Sequence, residues 1–206
     1  MSGAGQDYWE RHAKRYDRST RFLAKPVPRM LELAVDAARG CGDVLEVAAG
    51  TGLLTAAIAP VVRSMIATDY APAMVAQLEK RLRTDGVENV ICQQADIEAL
   101  TFPDHSFDAV IAANVLHLLP DLERSLASLR RVIRPNGHLI APTYLHAETV
   151  GASLLSRLFG LTGFPGARRF DSSTLQKSIE EAGFRIATYE AIRGPFPIGF
   201  VDAVVT

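Results

Sequence analysis

One stretch, residues 44–59, constrains the fold of this chain more than any other. Its first residues, 44–47, are mostly aliphatic and have the composition of a short buried strand. Small residues follow, and residues 53–59 then have the composition of a helix. A strand, a tight turn and a helix in this order bring backbone N–H groups and a helix N-terminus against a ligand. We therefore predict an α/β fold with a ligand-binding turn after this strand.

The residues of that turn narrow the choice of ligand. Gly50 and Gly52 lack Cβ atoms where a ligand could approach, and they permit backbone angles that other residues resist. Glu46, at the end of the strand, is expected to put a carboxylate beside the ligand. A dinucleotide fingerprint requires G-x-G-x-x-G or G-x-G-x-x-A, and neither a start at Ala48 nor a start at Gly50 gives that spacing.

The run from Glu46 to Gly52 instead resembles the first motif of class I S-adenosylmethionine (SAM)-dependent methyltransferases, acidic-x-Gly-x-Gly-x-Gly. Ala48 replaces the first glycine of that motif, and we expect it to keep a negative φ and to leave slightly more room between the turn and the ligand. The resemblance implies that Glu46, Ala48, Gly50, Thr51 and Gly52 contribute to the SAM site.

A second acid, Asp69, ends the next predicted strand, residues 65–69. It follows Glu46 at close to the ~20-residue interval expected for a carboxylate that binds a ribose diol. A carboxylate suits this task because it accepts hydrogen bonds from two vicinal hydroxyls. The segment resembles the second motif of the same family, which implies that Tyr70 and Met74 flank the adenosine. The alternative is that Asp69, which precedes Pro72, only caps a helix.

A third strand, residues 90–94, is followed by Asp96 and Ile97. An acid after this strand resembles the family position that accepts a hydrogen bond from the adenine amino group, while the next backbone N–H meets a ring nitrogen. Asp96 and Ile97 are therefore candidates for these two roles. The alternative is a loop aspartate that caps a turn.

Residues 107–117 predict a fourth strand, and the run is apolar enough for the centre of a parallel sheet. It resembles the F-D-x-V strand of the family. Its late polar residues, Asn114 and His117, lie at the edge where open α/β sheets bind ligands. The resemblance makes Asn114 a cofactor candidate. His117 is the candidate general base, because imidazole titrates near neutral pH; the alternative is a histidine that packs against the next helix.

The N-terminal segment combines basic and aromatic residues, and its run from Ala13 to Asp17 resembles the A-x-x-Tyr-Asp element of many small-molecule methyltransferases. In those proteins the tyrosine closes over the SAM pocket, which implies this role for Tyr16 and a helical lid over residues 1–40. Two alternatives stay open, a solvated helix that packs its aromatic residues on the domain and a basic helix on a membrane surface.

The second half of the chain continues the alternation of helices and strands. Leu122, Leu126, Leu129 and Ile133 share one face of a predicted helix, and residues 135–137 predict a turn before a strand over residues 138–143. This region resembles the L-x-x-hydrophobic-L-x-P-G-G element of the family, with Asn136 tolerating the left-handed conformation in place of a glycine.

Residues 144–170 interrupt this alternation. The family resemblance implies that they form an inserted cap over the site of the methyl acceptor, and plain packing or an oligomer contact would explain them equally well. After a helix at 172–182, two consecutive strands, 184–190 and 198–205, predict an antiparallel hairpin at the sheet edge. The predicted fold is a Rossmann-like, doubly wound, seven-stranded and mostly parallel sheet with this antiparallel C-terminal edge hairpin.

Composition limits the number of domains, the possible partners and the role of the cysteines. The chain has 206 residues, is 48% hydrophobic and has a formal net charge of −1, which predicts a single domain and argues against a nucleic-acid partner. Cys41 and Cys92 match no metal or redox spacing, so reduced cysteines in a cytoplasmic protein are expected, with no metal site. No apolar run is long enough to span a membrane.

The resemblance as a whole implies a small-molecule or lipid methyltransferase of the ubiquinone/menaquinone-methyltransferase-like group. It would transfer the methyl group of SAM to an O, N or C atom of a hydrophobic or amphipathic acceptor and leave S-adenosylhomocysteine (SAH). Three alternatives are a phospholipid headgroup N-methyltransferase with peripheral membrane contact, a SAM-binding regulatory module without turnover, and a nicotinamide-dependent oxidoreductase. The chain is expected to be a monomer or a homodimer.

Overall fold

Strands and helices alternate along the chain. The structure is a computed structural model that describes residues 25–153, 156 and 166–206. Within these residues the helices are α1 (Val27–Ala38), α2 (Leu53–Ile58), α3 (Pro72–Asp85), α4 (Leu122–Val132) and α5 (Ser172–Glu181). The strands are β1 (Asp43–Val47), β2 (Ser64–Asp69), β3 (Val90–Gln94), β4 (Phe107–Ala112), β5 (Ile133–Ile140), β6 (Thr143–Tyr144), β7 (Phe184–Ile192) and β8 (Ile198–Val205).

These strands form one sheet in the order β3-β2-β1-β4-β5-β8-β6, with β7 paired to β8. Strands β1 to β5 are parallel to one another, and β8 runs antiparallel to β5, β6 and β7. The predicted fold class and the antiparallel edge hairpin are confirmed. The described residues form eight strands instead of seven, because the short strand β6 pairs with β8 through Thr143 and Gly199.

The strand order reverses at β1, and this reversal determines where a ligand can bind. From β1 the chain moves outward to β2 and β3 and then returns to β4 on the other side of β1. Loops that leave the carboxyl ends of β1 and β4 therefore diverge and leave a crevice, the place where open α/β sheets bind ligands.

Both faces of the sheet are covered by helices. On one face, Leu45 and Val110 pack in a cluster with buried residues of α4 and α5, among them Leu126 and Leu175. On the opposite face, Val44 packs with buried residues of α1 and α2. Successive strand residues point to opposite faces, so the run of apolar residues in β1 fills both clusters, and the sheet is doubly wound.

Two predicted boundaries were wrong. Strand β4 ends at Ala112 rather than at residue 117, since Asn114 has a φ of 52°, which an extended strand cannot contain. His117 lies in a 3₁₀ turn, Leu116–Leu118. Ile133, predicted to be helical, begins β5.

The predicted turn at residues 135–137 was also wrong, because these residues lie within β5. Asn136 has the predicted left-handed conformation, with a φ of 62°. The pairing between β4 and β5 shifts register beside it, between Phe107 and Ala109. Residues 135–137, whose composition is typical of turns, are therefore accommodated by a bulge-like irregularity in the pairing of β4 with β5.

No helix among residues 25–153, 156 and 166–206 combines the length and the apolar composition needed to cross a membrane. Tyr16 and the first 24 residues of the predicted lid lie outside the described residues, as do residues 154–155 and 157–165 of the predicted cap.

Candidate active site

The turn between β1 and α2, here called the glycine turn (residues 48–52), has a left-handed backbone at every second residue. The φ angles of Ala48, Gly50 and Gly52 are 52°, 57° and 81°. The expectation of a negative φ at Ala48 was wrong, because the chain turns sharply after β1 and this position takes the left-handed conformation whichever residue occupies it. An alanine there bears a strain of roughly 1–2 kcal/mol that a glycine avoids.

The two glycines serve different purposes. A Cβ atom at Gly50 would meet no atom of residues 25–153, 156 and 166–206 within 4 Å, so none of these residues fills the space beside it. A Cβ atom at Gly52 would collide with Leu78 Cδ1, so this glycine allows the turn to pack closely against α3. The turn is further held to α3 by Arg81 Nη1, which donates to the carbonyl oxygen of Thr51 at 3.1 Å. Thr51 is itself buried.

Asp69 connects the glycine turn to the start of α3. Its Oδ2 accepts from the backbone N–H of Gly50 and its Oδ1 from that of Ala71, each at 2.9 Å. Burial raises the pKa of Asp69, and the backbone hydrogen bonds from Ala71, Gly50 and Tyr70 oppose this shift. Asp69 does not cap α3, whose N-cap residue is Ala71. A carboxylate has about four acceptor sites, so these contacts leave it able to bind ligand hydroxyls.

Glu46 lies beneath the turn. Its Oε2 accepts from Thr55 Oγ1 at 2.6 Å, and the residue is only 2% exposed. Burial raises the pKa of Glu46 to about 8, and the nearby Asp69 adds to the effect. The expected carboxylate beside the ligand is therefore a largely protonated carboxyl group at neutral pH, directed toward α2.

The remaining adenosine candidates follow β2 and β3. Met74 is buried in a small cluster with Ala71, and Tyr70 is half-buried beside them. The Asp96 side chain accepts from the Glu98 N–H at 3.0 Å and caps a 3₁₀ turn, as the alternative proposed. The side chain of Ile97 packs in the core. The ends of β2 and β3 are joined by a backbone hydrogen bond of 3.1 Å from residue 95 to residue 69.

Asn114 lies just past β4 with a φ of 52°. Its backbone N–H donates to the Pro142 carbonyl at 2.7 Å, and its Nδ2 lies 4.0 Å from Met30 Sδ in α1. Its buried Oδ1 has no hydrogen-bond partner within the part of the chain that the structure describes. A buried acceptor without a partner costs roughly 1–3 kcal/mol unless a ligand or water satisfies it.

Four rings gather at the same edge, beyond the ends of β4 and β5; we call them the aromatic cluster (His117, Tyr144, His146 and Phe196). The ring centroids of His117 and His146 are 4.9 Å apart, and those of His146 and Phe196 are 5.1 Å apart. Tyr144 lies 6.3 Å from His117, 6.1 Å from His146 and 6.2 Å from Phe196. Both histidines are buried.

Both imidazoles of the aromatic cluster are neutral at physiological pH. Burial lowers the pKa of His117 to about 3, and the neighbouring His146 contributes. Burial likewise lowers the pKa of His146 to about 4, with a contribution from Arg169. A neutral imidazole has one donor and one acceptor nitrogen, so the His146 ring can bind a hydroxyl group in either sense.

The structure thus brings the glycine turn, Asp69 and Asn114 to one edge of the sheet and adds the aromatic cluster beside them. Of that cluster, only His117 was predicted as a site residue from the sequence. A second signal was available, since Tyr144 and His146 follow the end of the fifth strand. Phe196 is contributed by the connection between β7 and β8, and nothing local marks it.

Comparison with known proteins agrees with this arrangement. A family profile described as "Methyltransferase domain" matches residues 45–141, which contain the end of β1, the glycine turn and β2 to β5. The ubiquinone/menaquinone biosynthesis C-methyltransferase UbiE of Marinomonas sp. (strain MWYL1) is 28% identical over 211 residues, covering 88% of this chain and 83% of the relative. The protein of the same name from Shewanella frigidimarina (strain NCIMB 400) is 32% identical over 165 residues, covering 77% of this chain and 64% of the relative.

Among solved structures, magnesium protoporphyrin IX methyltransferase from Synechocystis PCC 6803 with bound SAH superimposes with a TM-score of 0.78. It covers 98% of each chain at 18% sequence identity, a likeness of fold alone.

The chain is a class I SAM-dependent methyltransferase. Along most of its length it is similar to the ubiquinone/menaquinone biosynthesis C-methyltransferases, and SAM is its cofactor. The resemblance inferred from the motifs is confirmed, and the three alternatives are not favoured.

Proposed function

We propose that this enzyme transfers the methyl group to a ring carbon of a hydrophobic acceptor that carries a hydroxyl group. The observation that carries the proposal is the aromatic cluster, which places two buried neutral imidazoles among apolar rings at the ligand-binding edge of the sheet. The names of the relatives, C-methyltransferases of ubiquinone/menaquinone biosynthesis, support carbon methylation of such a ring.

The residues of the crevice fit SAM. The described residues leave room beside the turn at Gly50. The buried Oδ1 of Asn114, which has no hydrogen-bond partner among these same residues, suits the ammonium group of the methionine part. We propose that Asp69 accepts from the ribose hydroxyls. Glu46 supports the turn from below through Thr55.

The adenine end of the site is proposed on family resemblance. Asp96 and the backbone N–H of Ile97 would bind the adenine edge, and Tyr70 and Met74 would flank the adenosine. Tyr16 would close over the pocket from the N-terminal lid. Residues 144–170 would cap the acceptor.

The strand order supports a short distance between cofactor and acceptor. Neighbouring strands lie about 4.8 Å apart, so the ends of β1 and β5, which flank β4, are separated by roughly 10 Å. The glycine turn follows β1, and the aromatic cluster lies at the ends of β4 and β5. A methyl group and a ring carbon could meet between them.

The reaction depends mainly on the alignment of the methyl donor with the acceptor. SAM, when bound, supplies a methyl group on a sulfonium centre and leaves as SAH after an in-line displacement. The protein's part is to align the two reactants and to exclude water, to which the buried aromatic cluster is suited. The ring carbon gains the methyl group, and the proton that it loses passes to solvent when the product leaves. Burial lowers the pKa of His117 to about 3, so the expectation of a base that titrates near neutral pH was wrong. We propose that the neutral His117 imidazole accepts a hydrogen bond from the acceptor's hydroxyl without taking up its proton, which makes the ring carbon more nucleophilic.

The test is a methylation assay with a naphthohydroquinone that has one short alkyl chain and a free ring carbon beside a hydroxyl. The compound is kept reduced with dithiothreitol and incubated with SAM and the purified enzyme, and the product is analysed by mass spectrometry and proton NMR. A ring-bound methyl group is expected. An analogue with both carbons alkylated is the control. A methyl ether, or no product from an enzyme that binds SAH, would contradict the proposal.

A further inference from the structure

We infer that His146 is the hydrogen-bonding partner of the acceptor's hydroxyl group and selects hydroxylated aromatic acceptors over plain hydrocarbons. The inference rests on the proposed function, because it takes the aromatic cluster to be the acceptor site. It assigns a specific contact to His146, which belongs neither to the glycine turn nor to the cofactor candidates.

The two ring nitrogens of His146 stand out in the part of the chain that the structure describes. The residue is 8% exposed, and neither Nδ1 nor Nε2 has a hydrogen-bond partner among residues 25–153, 156 and 166–206. Two buried ring nitrogens without partners are costly, since each lost its hydrogen bond to water on folding. A histidine that served packing alone would be replaced by an apolar ring at a gain in stability, so its polarity points to a ligand.

The surroundings of His146 define the ligand's chemistry. Apolar ring surface is supplied by Phe196 at 5.1 Å and Tyr144 at 6.1 Å, distances typical of favourable aromatic pairs. The ring of His117, at 4.9 Å, is the second polar group. Burial and the nearby Arg169 lower the pKa of His146, so the imidazole is neutral and exchanges hydrogen bonds with an uncharged hydroxyl. These features fit a flat hydroxylated ring better than an aliphatic amine.

The rings of His117 and His146, whose centroids are 4.9 Å apart, would contact the same hydroxyl group in different roles. The backbone carbonyl of His117 accepts from the N–H groups of residues 167 and 168, at 2.9 and 3.1 Å, which fixes its place in the 3₁₀ turn. His146 follows β6 by two residues. A hydroxyl group that accepts a hydrogen bond from His146 is placed beside the His117 ring, whose centroid lies 4.9 Å from that of His146, and can donate to it.

The experiment compares the binding of naphthol, naphthalene and naphthoate to the enzyme saturated with SAH, by calorimetry. We expect wild-type enzyme to prefer naphthol over naphthalene by roughly 5- to 10-fold, the range of one hydrogen bond. His146→Phe should abolish this preference by weakening naphthol binding only, and His146→Gln, which keeps a donor and an acceptor, should restore part of it. Phe196→Leu is the matched control and should weaken both ligands equally.

Two calorimetric outcomes would refute the inference. An unchanged preference in His146→Phe would mean that another group binds the hydroxyl. Tighter binding of naphthoate than of naphthol would indicate an anion site near Arg169 instead. Should His146→Phe fail to fold, the imidazole nitrogen resonances of wild-type His146 are followed by NMR, and naphthol must shift them while naphthalene must not. Loss of the preference in His146→Phe alongside a wild-type enzyme that makes no methylated naphthohydroquinone would reject the proposed reaction but keep this contact.

Discussion

Replacing Ala48 by glycine should release strain in the glycine turn. The φ of 52° costs an alanine roughly 1–2 kcal/mol relative to a glycine. Against this, the greater freedom of glycine in the unfolded chain costs about 0.4–1 kcal/mol, and loss of a half-buried methyl group costs about 0.4 kcal/mol. The sum predicts that Ala48→Gly is between neutral and about 1 kcal/mol more stable than wild type.

The neighbouring residue is the matched control. Ala49 has a negative φ and is 9% exposed, so Ala49→Gly relieves no strain and loses a buried methyl group. It should be destabilised by roughly 1–2 kcal/mol. The two variants should therefore differ by about 2 kcal/mol, which corresponds to roughly 4–8 °C in Tm for a domain of this size. Urea unfolding and thermal melts measure the difference, and equal destabilisation of both variants would refute the strain.

Three further predictions concern polar side chains of the site. Because the pKa of Glu46 is raised to about 8 in the folded state, stability should fall by a few kcal/mol as pH rises from 4.5 toward 8. Glu46→Gln should remove that fall in urea titrations at pH 5 and pH 8.5. Because the pKa of His117 is lowered to about 3, its contribution to stability is lost as pH falls below 6.5, and His117→Phe should reduce this acid sensitivity. In methylation assays, His117→Ala should lower turnover and spare SAH affinity. Asp69→Ala and Asn114→Ala should each weaken SAH binding, the former by roughly 100-fold. Asp43→Ala, a control at the opposite edge of the sheet, should leave SAH binding unchanged. Calorimetry measures these affinities, with NADH as the control ligand.

Local sequence patterns predicted the parts of the site that neighbouring residues build. Gly50 and Asp69 were predicted because a strand, a turn and an acid at a fixed interval are features of one βαβ unit, and in the structure a hydrogen bond joins the two residues. Asn114 was predicted because the preceding strand resembles that of the family and Asn114 is the first polar residue after its apolar run. Such patterns specify where the edge of the sheet lies.

Patterns could not predict what the packing decides. The left-handed angle of Ala48 follows from the path of the chain, and an alanine gives no sign of it. The protonated state of Glu46 follows from its burial under the turn. The aromatic cluster joins residues 117, 144, 146 and 196, which are brought together by the pairing of β6 with β8.

Strand β8 determines when each half of the crevice is completed during synthesis. It pairs with β5, β6 and β7, and its pairing with β6 sets Tyr144 in place. The glycine turn and Asp69 need only β1, β2 and α3, which leave the ribosome more than a hundred residues earlier. Contacts over short sequence separations form sooner than distant ones. A growing chain therefore assembles its cofactor side first, and the wall that receives the acceptor closes only when β8 has joined the sheet.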